Sequence, residues 1–327
     1  MRDKSIVIIG AGMGGLAAGI HAQANGYKTS IYEAHVVPGG QAATWKRSGY
    51  VFDGCIHHLF GCRTGTRLND LWRELGVMPR PLAPTAECVA VQGADGRLFV
   101  DYYDPDRLRE HLHALSPADR RASDDYVHAT ELCARHDLFG EMIFGKKRRV
   151  LGMIPTLVAL RPWLSSSMAD VGARFKDPLL RDGLPLTVYS MPTNPAILHL
   201  FMHAYGMHGD IAWPIGGAAG LARSMAERYA ALGGRLHLGQ RVTEILTRDG
   251  KAVGIKLQHG GRFVDDRIRA YCERGPASDE TNWAVHVFLG VNRDLSKEPS
   301  SLVLLLENPV EIAGHTCHSL EMQIYGM

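Results

Sequence analysis

The chain has 327 residues, of which 46% are hydrophobic and 21% are charged, and its formal net charge is +2. This composition is typical of a soluble globular protein of about two domains and excludes a strongly basic, nucleic-acid-binding chain. The six cysteines are scattered, without a C-x-x-C pair or a metal-ligand spacing. We therefore expect reduced thiols, a cytoplasmic location, no metal site and no nucleic-acid partner.

The first 33 residues predict a βαβ unit. Residues 5–9 form a continuous apolar run, as in a strand covered on both faces, and residues 13–24 predict an Ala-rich helix that ends near Gly26. A second strand is predicted at 27–33. Basic residues before an apolar run also resemble a signal peptide, but the ordered glycines that follow favour a strand and a turn.

The predicted turn between the first strand and the helix carries the motif Gly10-x-Gly12-x-x-Gly15. Its glycines permit a tight turn, close approach of a pyrophosphate and close packing of the helix, whose N-terminus favours phosphate charge. Glu33 follows Gly10 by 23 residues, close to the ~20 expected for the acid that binds ribose hydroxyls. Together these residues predict a dinucleotide site, and the carboxylate argues against a 2′-phosphate as in NADP.

Later elements follow from hydrophobic periodicity and turn signals. Asp95-Gly96 predicts a hairpin turn within 87–103, and a second Asp-Gly turn at 249–250 lies among the strands predicted after residue 234. The remaining predictions are helices at 66–76, 105–140 and 216–234, a proline-interrupted helical stretch at 146–205, and strands at 283–291 and 301–307. Strands near both ends indicate that one domain is assembled from separated segments.

Beyond Glu33, the stretch PGGQAATW at 38–45 adds a second glycine pair, and GYVFDGCIHHLFG follows it. With the glycine motif and Glu33, these residues resemble the opening of FAD-dependent oxidoreductases, and in particular the phytoene desaturase and carotenoid isomerase branch of the amine-oxidase-like flavoproteins. The segment at 212–257, which opens with AWPIGGAAG, resembles the part of that family in which a strand returns to the FAD domain. The resemblance is loose between these regions.

The resemblance implies an α/β fold, with a Rossmann-like FAD-binding domain built on a parallel sheet split in sequence, and a substrate domain of mixed sheet and helices. We expect the FAD domain at 1–80 and 212–260 and the substrate domain at 81–211 and 261–327. In the family a further Rossmann strand and a helix follow, and a Gly/Pro-rich segment closes the flavin pocket. This sequence has no recognisable strand and helix of that kind after residue 260, which predicts a gap there, and it lacks the Gly/Pro-rich segment. Both features indicate a partial sequence or a natural truncation.

The resemblance also implies which residues bind FAD. Val242 matches a strand residue that usually meets the adenine through its backbone. The implied cofactor-binding residues are Gly10, Gly12, Met13, Gly14, Gly15, Glu33, Ala34, Gly39, Gly40, Gln41, Thr44 and Val242.

Catalysis places few demands on the side chains, because the flavin itself takes a hydride or an electron pair. His57 and His58 are candidates for a general acid or base, since imidazole titrates near neutrality, and packed loop histidines are the alternative. Asp53 is predicted to be a turn or cap residue rather than a catalyst.

The implied function is FAD-dependent oxidoreduction of a long apolar isoprenoid or polyene substrate, by desaturation or cis–trans isomerisation. The alternatives are an amine-oxidase-like flavoenzyme for a polar amine and a truncated, catalytically silent nucleotide-binding homologue. No second GxGxxG is present, so a dedicated NAD(P)H domain is not expected, and the electron acceptor stays unidentified.

Residues 146–168 suit contact with a membrane surface. Four basic residues, 146–149, precede an apolar stretch that contains Trp163. Such residues can meet anionic head groups while the apolar side chains enter the lipid boundary. A solvated basic turn before a core helix is the alternative.

Overall fold

The computed structural model describes residues 5–42, 44–47, 50–53, 56, 58–78, 82–137, 152–187, 191–249, 251–258, 262–264, 268–271, 301–312 and 315–323. Its strands are β1 (Ser5–Ile9), β2 (Lys28–Tyr32), β3 (Thr44–Arg47), β4 (Tyr50–Asp53), β5 (Leu59–Phe60), β6 (Leu82–Pro84), β7 (Glu87–Gln92), β8 (Leu98–Tyr102), β9 (Ile211–Pro214), β10 (Arg235–His237), β11 (Val242–Arg248), β12 (Lys251–Leu257), β13 (Arg262–Val264), β14 (Ile268–Tyr271), β15 (Ser301–Ile312) and β16 (His315–Gln323). Its helices are α1 (Met13–Ala24), α2 (Arg67–Leu75), α3 (Pro105–Leu115), α4 (Arg120–Ala134), α5 (Ile154–Ala159), α6 (Arg161–Leu164), α7 (Met168–Gly172), α8 (Pro178–Gly183), α9 (Ala196–Met207) and α10 (Gly217–Ala231).

The chain divides into two compact units, each assembled from separated segments. The first unit consists of Met1–His57, Leu71–Leu82 and Pro214–Gly290. The second unit consists of His58–Asp70, Ala83–Trp213 and Val291–Met327. His58–Asp70, which the sequence predicted in the first domain, cluster with the second unit. One reason is that β5, just after the first segment, pairs with β9 of the second unit.

The first unit is built on a parallel sheet whose described strands are ordered β10, β2, β1, β14. β1 and β2 flank α1, as the predicted βαβ unit requires, whereas β10 and β14 come from the region after residue 234. The α/β class and the parallel sheet split in sequence therefore agree with the prediction.

β14 is a parallel strand that the sequence did not predict after residue 260. It runs parallel to β1, with Ser5 opposite Ile268 and Ile8 opposite Tyr271. The strand was missed because it has four residues, Ile-Arg-Ala-Tyr, and lacks the continuous apolar run that identifies a buried parallel strand.

The core of the first unit lies between the parallel sheet, α1 and α10. Leu16, Ile31 and Tyr229 are fully buried there, and the Tyr229 hydroxyl lies 2.7 Å from Thr29 Oγ1. A Cβ at Gly19 would lie 2.8 Å from the Tyr229 ring. The absence of a side chain at this position of α1 therefore allows α10 to pack closely against α1. The first unit also contains the antiparallel sheet β11-β12-β13 and the hairpin β3-β4.

The second unit is built on a mixed sheet in the order β16-β15-β7-β8. β7 and β8 form the predicted antiparallel hairpin, and Asp95-Gly96 lies in its turn. β15 runs parallel to β7, so the late strand predicted at 301–307 completes a sheet that begins more than 200 residues earlier. Helices α3–α9 pack a large apolar core against this sheet. The strand predicted at 283–291 lies outside the described residues.

Trp163, within the segment at 146–168, does not face outward as the predicted membrane contact requires. Trp163 is 6% exposed and packs in the core of the second unit, with the Arg174 guanidinium 4.3 Å from its ring centroid. The sequence could not show this burial, because it depends on α4 and α9 being packed beside α6. The basic residues 146–149 lie outside the described residues. Within the described part of the chain, no helix combines the length and the apolar character needed to cross a membrane.

Asp119 joins two turns of the second unit. Its carboxylate accepts hydrogen bonds from the Ser116 hydroxyl at 2.8 Å and from the backbone N–H groups of Lys176 and Asp177 at 3.0 and 2.9 Å. Burial alone raises the pKa of Asp119, but the hydrogen bonds from Asp177 and Lys176 lower it by more, so the pKa lies below its ordinary value. The ionised carboxylate therefore stabilises the fold.

We expect Asp119→Asn to lower the free energy of unfolding by about 2 kcal/mol at neutral pH, because the donors lose a charged acceptor. Because the folded-state pKa is depressed, this contribution is complete above the unfolded-state pKa of about 4 and is lost as the pH falls through the folded-state value. Urea unfolding at several pH values checks this, with the exposed Asp125→Asn as the control. An equal effect of Asp119→Asn at neutral and strongly acidic pH would contradict it.

Candidate functional site

The glycine motif forms the turn between β1 and α1. Gly10 has φ +95°, a conformation that favours glycine, and its N–H donates to the Tyr32 carbonyl at 2.8 Å. Gly12 is the N-cap residue of α1 and provides no side-chain cap. The N–H groups of the first helical turn have no acceptor within a helix, so they face the region in front of α1.

Two glycines of the motif are required for different reasons. A Cβ at Gly15 would overlap the Gly10 carbonyl oxygen, so the fold itself excludes a side chain there. At Gly12, the nearest described atom that a Cβ would meet is Gly40 Cα, 3.8 Å away. The chain's own packing therefore leaves room at Gly12, in the place where the motif brings a pyrophosphate close to the backbone.

The peptide groups around Ala11 connect the three parts of the predicted site. The buried Ala11 donates its N–H to Glu33 Oε2 at 2.6 Å, and its carbonyl accepts the Gly39 N–H at 2.8 Å. Gly12 and Gly39 form an isolated parallel bridge. A Cβ at Gly40 would lie 2.9 Å from Gly12 Cα. The glycine turn, the acid and the second glycine pair thus form one structure, as their order in the sequence predicts.

Glu33 is held in a fixed position with its carboxylate charge compensated by backbone donors. Only 7% of the residue is exposed, and Oε1 accepts the His35 N–H at 2.8 Å while Oε2 accepts that of Ala11. Each carboxylate oxygen can accept more than one hydrogen bond. The fixed carboxylate can therefore still accept hydrogen bonds from the two hydroxyls of a ribose.

The segment at 212–257, called here the return segment because it returns to the sheet of the first unit, lies directly beside Glu33. The Glu33 N–H donates to the His237 carbonyl at 2.9 Å, and the Gln240 N–H donates to the Glu33 carbonyl at 2.7 Å. The Tyr32 and His237 rings stack with centroids 4.5 Å apart. Burial lowers the pKa of His237, and Arg235 lowers it further, which favours a neutral ring in this stack. Val242 packs at the nearby cluster of Val7, Tyr32 and Ile255.

Thr44 and Asp53 belong to a second network, at the N-terminus of α10. The Thr44 hydroxyl donates to Asp53 Oδ1, and the Ala219 N–H donates to Thr44 Oγ1 at 3.0 Å. The Asp53 carboxylate also accepts the Ala218 N–H at 3.0 Å. A Cβ at Gly217 would overlap Asp53 Oδ2. Asp53 is thus a helix-capping acceptor supplied by a distant strand, and the Thr44 hydroxyl already has a protein acceptor.

The remaining predicted residues have less specific positions. Met13 and Gly14 begin α1, Ala34 follows Glu33, and Gln41 is exposed after the second glycine pair. His58 is half-buried directly before β5, and its catalytic role stays a prediction. His57 lies outside the described residues.

The described residues fit the adenosine-diphosphate half of a dinucleotide. The first-turn N–H groups of α1 and its helix dipole suit the pyrophosphate, the absence of a side chain at Gly12 leaves the backbone open to its approach, and Glu33 suits the ribose. These are the residues that would hold FAD. Its flavin would supply the redox chemistry, a property of the cofactor rather than of these side chains.

Comparison with known proteins identifies the family. Residues 13–270 match the family of flavin containing amine oxidoreductases. The chain belongs to this family. The membership confirms the predicted resemblance and the cofactor class, a flavin dinucleotide, FAD.

Curated relatives of the chain have names that specify particular enzymes. The chain is 29% identical to a phytoene desaturase (lycopene-forming) from Paracoccus sp. over 276 residues, which is 81% of this chain and 54% of that protein. It is 26% identical to the chloroplastic prolycopene isomerase 1 of an Oncidium hybrid cultivar over 80% of this chain and 47% of that protein. The chain thus spans about half the length of the curated relatives it matches.

Solved structures share the fold. An oxidoreductase from Methanosarcina mazei matches with a TM-score of 0.54 at 20% identity, over 81% of this chain and 58% of that one. A Rab GDI from Plasmodium falciparum matches with a TM-score of 0.51 at 15% identity, over 82% of this chain and 65% of that one. At these identities the similarity establishes the fold alone.

The contrast between Gly12 and Gly15 gives a matched pair of variants. We expect Gly12→Ala to fold with an unchanged melting temperature but to bind FAD at least about tenfold more weakly, because its methyl group occupies the phosphate position. We expect Gly15→Ala to lose about 1–3 kcal/mol of stability, because its methyl group overlaps backbone. Thermal unfolding and quenching of FAD fluorescence measure the two effects. Equal FAD affinity of Gly12→Ala and the parent chain would contradict the assignment of this space.

Proposed function

We propose that this chain is an FAD-dependent oxidoreductase acting on a long apolar polyene, by dehydrogenation or by cis–trans isomerisation. The first unit would be the Rossmann-like FAD-binding domain and the second unit would be the substrate domain. The observation that carries the proposal is the linkage through Ala11, which holds Glu33 and Gly39 at the N-terminus of α1.

The chain's own residues would bind and orient the cofactor. The first turn of α1 donates N–H groups to the pyrophosphate, and Glu33 accepts the ribose hydroxyls. The hydrogen bonds of Ala11 and His35 to Glu33 fix the carboxylate before binding, so little ordering of the side chain remains to be done when the cofactor arrives. Of the two candidate histidines, His58 lies within the described residues, and we propose it as the group that would transfer a proton.

The substrate class is supported by the relatives. Phytoene desaturases and prolycopene isomerases are among the curated proteins that match about four-fifths of this chain. Phytoene and prolycopene are therefore the substrates to test first. A dehydrogenation removes two electrons and two protons from a C–C single bond and needs an electron acceptor, whereas an isomerisation is redox-neutral.

The test is to load the purified chain with FAD and offer phytoene or prolycopene dispersed in lipid vesicles. Under anaerobic conditions, dehydrogenation is expected to bleach the flavin absorption and to produce a polyene with a longer conjugated system. Isomerisation is expected to convert a cis polyene into its trans isomer without net bleaching of the flavin. Product analysis by chromatography distinguishes the two reactions. FAD-loaded chain that converts neither polyene but oxidises a polyamine would favour the amine oxidase alternative. Failure to bind FAD would favour a silent homologue.

We also propose that α5 and α6 contact the membrane in which such a substrate dissolves. Ile154, Val158 and Leu164 are 49%, 66% and 46% exposed. Ile154 and Val158 are four residues apart on α5 and so share one face of the helix. Exposed apolar side chains of this kind are suited to the lipid boundary.

Val158→Glu is expected to reduce co-flotation of the chain with anionic liposomes at least about threefold, because a charge replaces an apolar contact with lipid. Leu238→Glu is the matched control, since Leu238 is an exposed apolar residue of the first unit. Melting temperatures should be unchanged in both variants. Flotation of Val158→Glu equal to that of the parent chain would contradict this membrane contact.

A further inference from the structure

Four metal-ligating side chains meet inside the core of the second unit. Cys88 comes from β7, Asp101 from β8, and His199 and His203 from α9. The donor atoms of Cys88, Asp101 and His199 all lie within 4.8 Å of one another. His203 Nε2 lies 3.0 Å from Asp101 Oδ1. All four residues are at most 1% exposed.

Local structure explains why these side chains meet. His199 and His203 are four residues apart on one helix, which places both imidazoles on the same face. The β7–β8 hairpin has a register irregularity between Glu87 and Ala90. Such an irregularity changes the direction in which nearby side chains point, and Cys88 lies within it. Apart from the spacing of His199 and His203, the sequence shows none of this, because the four residues belong to three separate elements.

The contacts of Asp101 differ from those of a fully hydrogen-bonded carboxylate. His199 Nε2 lies 2.9 Å from Asp101 Oδ2 and 2.7 Å from the Tyr126 hydroxyl, and Asp101 Oδ2 has no aligned hydrogen-bond donor among the residues that the structure describes. Asp101 Oδ1 accepts the Tyr126 hydroxyl at 3.2 Å. A buried acceptor without a donor carries a free-energy cost. A cation at this position would supply the missing interaction.

Charge and distance also suit a cation. Two ligand atoms bound to one zinc ion at about 2.1 Å each lie about 3.0–3.4 Å apart. The two imidazole–carboxylate distances, 2.9 Å to Oδ2 and 3.0 Å to Oδ1, are hydrogen-bond lengths close to the lower end of this range. A thiolate and a carboxylate together carry two negative charges, which a divalent ion neutralises. Buried charge in an apolar core requires such compensation.

We propose that Cys88, Asp101, His199 and His203 form a structural site for a divalent transition-metal ion, with Zn²⁺ as the ion that this ligand set suits best. The site is independent of the FAD site, because all its ligands lie in the second unit. The sequence predicted no metal site, and the proposed site replaces that expectation. Its role is to link the β7–β8 hairpin to α9.

The experiment is to purify the full chain without a histidine tag, after expression with added Zn²⁺, and to measure metals by inductively coupled plasma mass spectrometry. We expect about one equivalent of zinc per chain. Removal of the ion with a chelator should lower the melting temperature, and added Zn²⁺ should restore it. The double variant H199N/H203N should lose the zinc, whereas His128→Asn, at an exposed helical histidine, should retain it.

A spectroscopic variant covers the case in which H199N/H203N does not fold. Chain loaded with Co²⁺ should show visible cobalt absorption together with a thiolate-to-cobalt charge-transfer band. Cys88→Ser should lose the charge-transfer band and keep visible absorption. Parent chain that contains less than about a tenth of an equivalent of any transition metal, with no thermal response to Zn²⁺ or Co²⁺, would overturn the proposal. Zinc retained at full stoichiometry in folded H199N/H203N would also overturn it.

Discussion

The two hydrogen bonds of the Ala11 residue are the constraint on which the cofactor site depends. One bond holds Glu33 at the end of β2, and the other holds Gly39 beside the start of α1. Both groups lie in the connection that follows β2. Because Ala11 is buried and its partners are fixed, the acid and the second glycine pair are positioned by backbone geometry before any ligand binds. The return segment adds two hydrogen bonds to the Glu33 backbone, so the site is formed by residues from the start of the chain and from the region after residue 234.

The local part of this site could be predicted from sequence. The order strand, glycine turn, helix, strand and acid is contained within 33 residues, and its physical requirements are carried by the residue types themselves. The hairpin at Asp95-Gly96 was predictable for the same reason, because a two-residue turn signal fixes the pairing of its flanking strands. The resemblance to the flavoprotein family extended the prediction to Gly39, Gly40 and the return segment.

The features that the sequence did not show all depend on long-range packing. β14 is a short strand that is stabilised by pairing with β1 rather than by its own pattern. Trp163 is an aromatic residue beside prolines whose burial depends on neighbouring helices. The capping of α10 by Asp53 joins residues 165 positions apart, and the Cys88, Asp101 and His199 cluster joins three elements. Residue type indicated what each group can do, and only the tertiary structure shows which partner it has.

The central claim is that Glu33 and the glycine turn of α1 bind the adenosine-diphosphate end of FAD. The most direct measurement is a calorimetric titration of the full chain with ADP and, separately, with ADP that carries a 2′-phosphate. If the fixed Glu33 carboxylate accepts the ribose hydroxyls, it would repel a phosphate on that ribose, and ADP should bind at least about tenfold more tightly. Equal affinity for the two ligands, or a preference for the 2′-phosphate, would contradict the account.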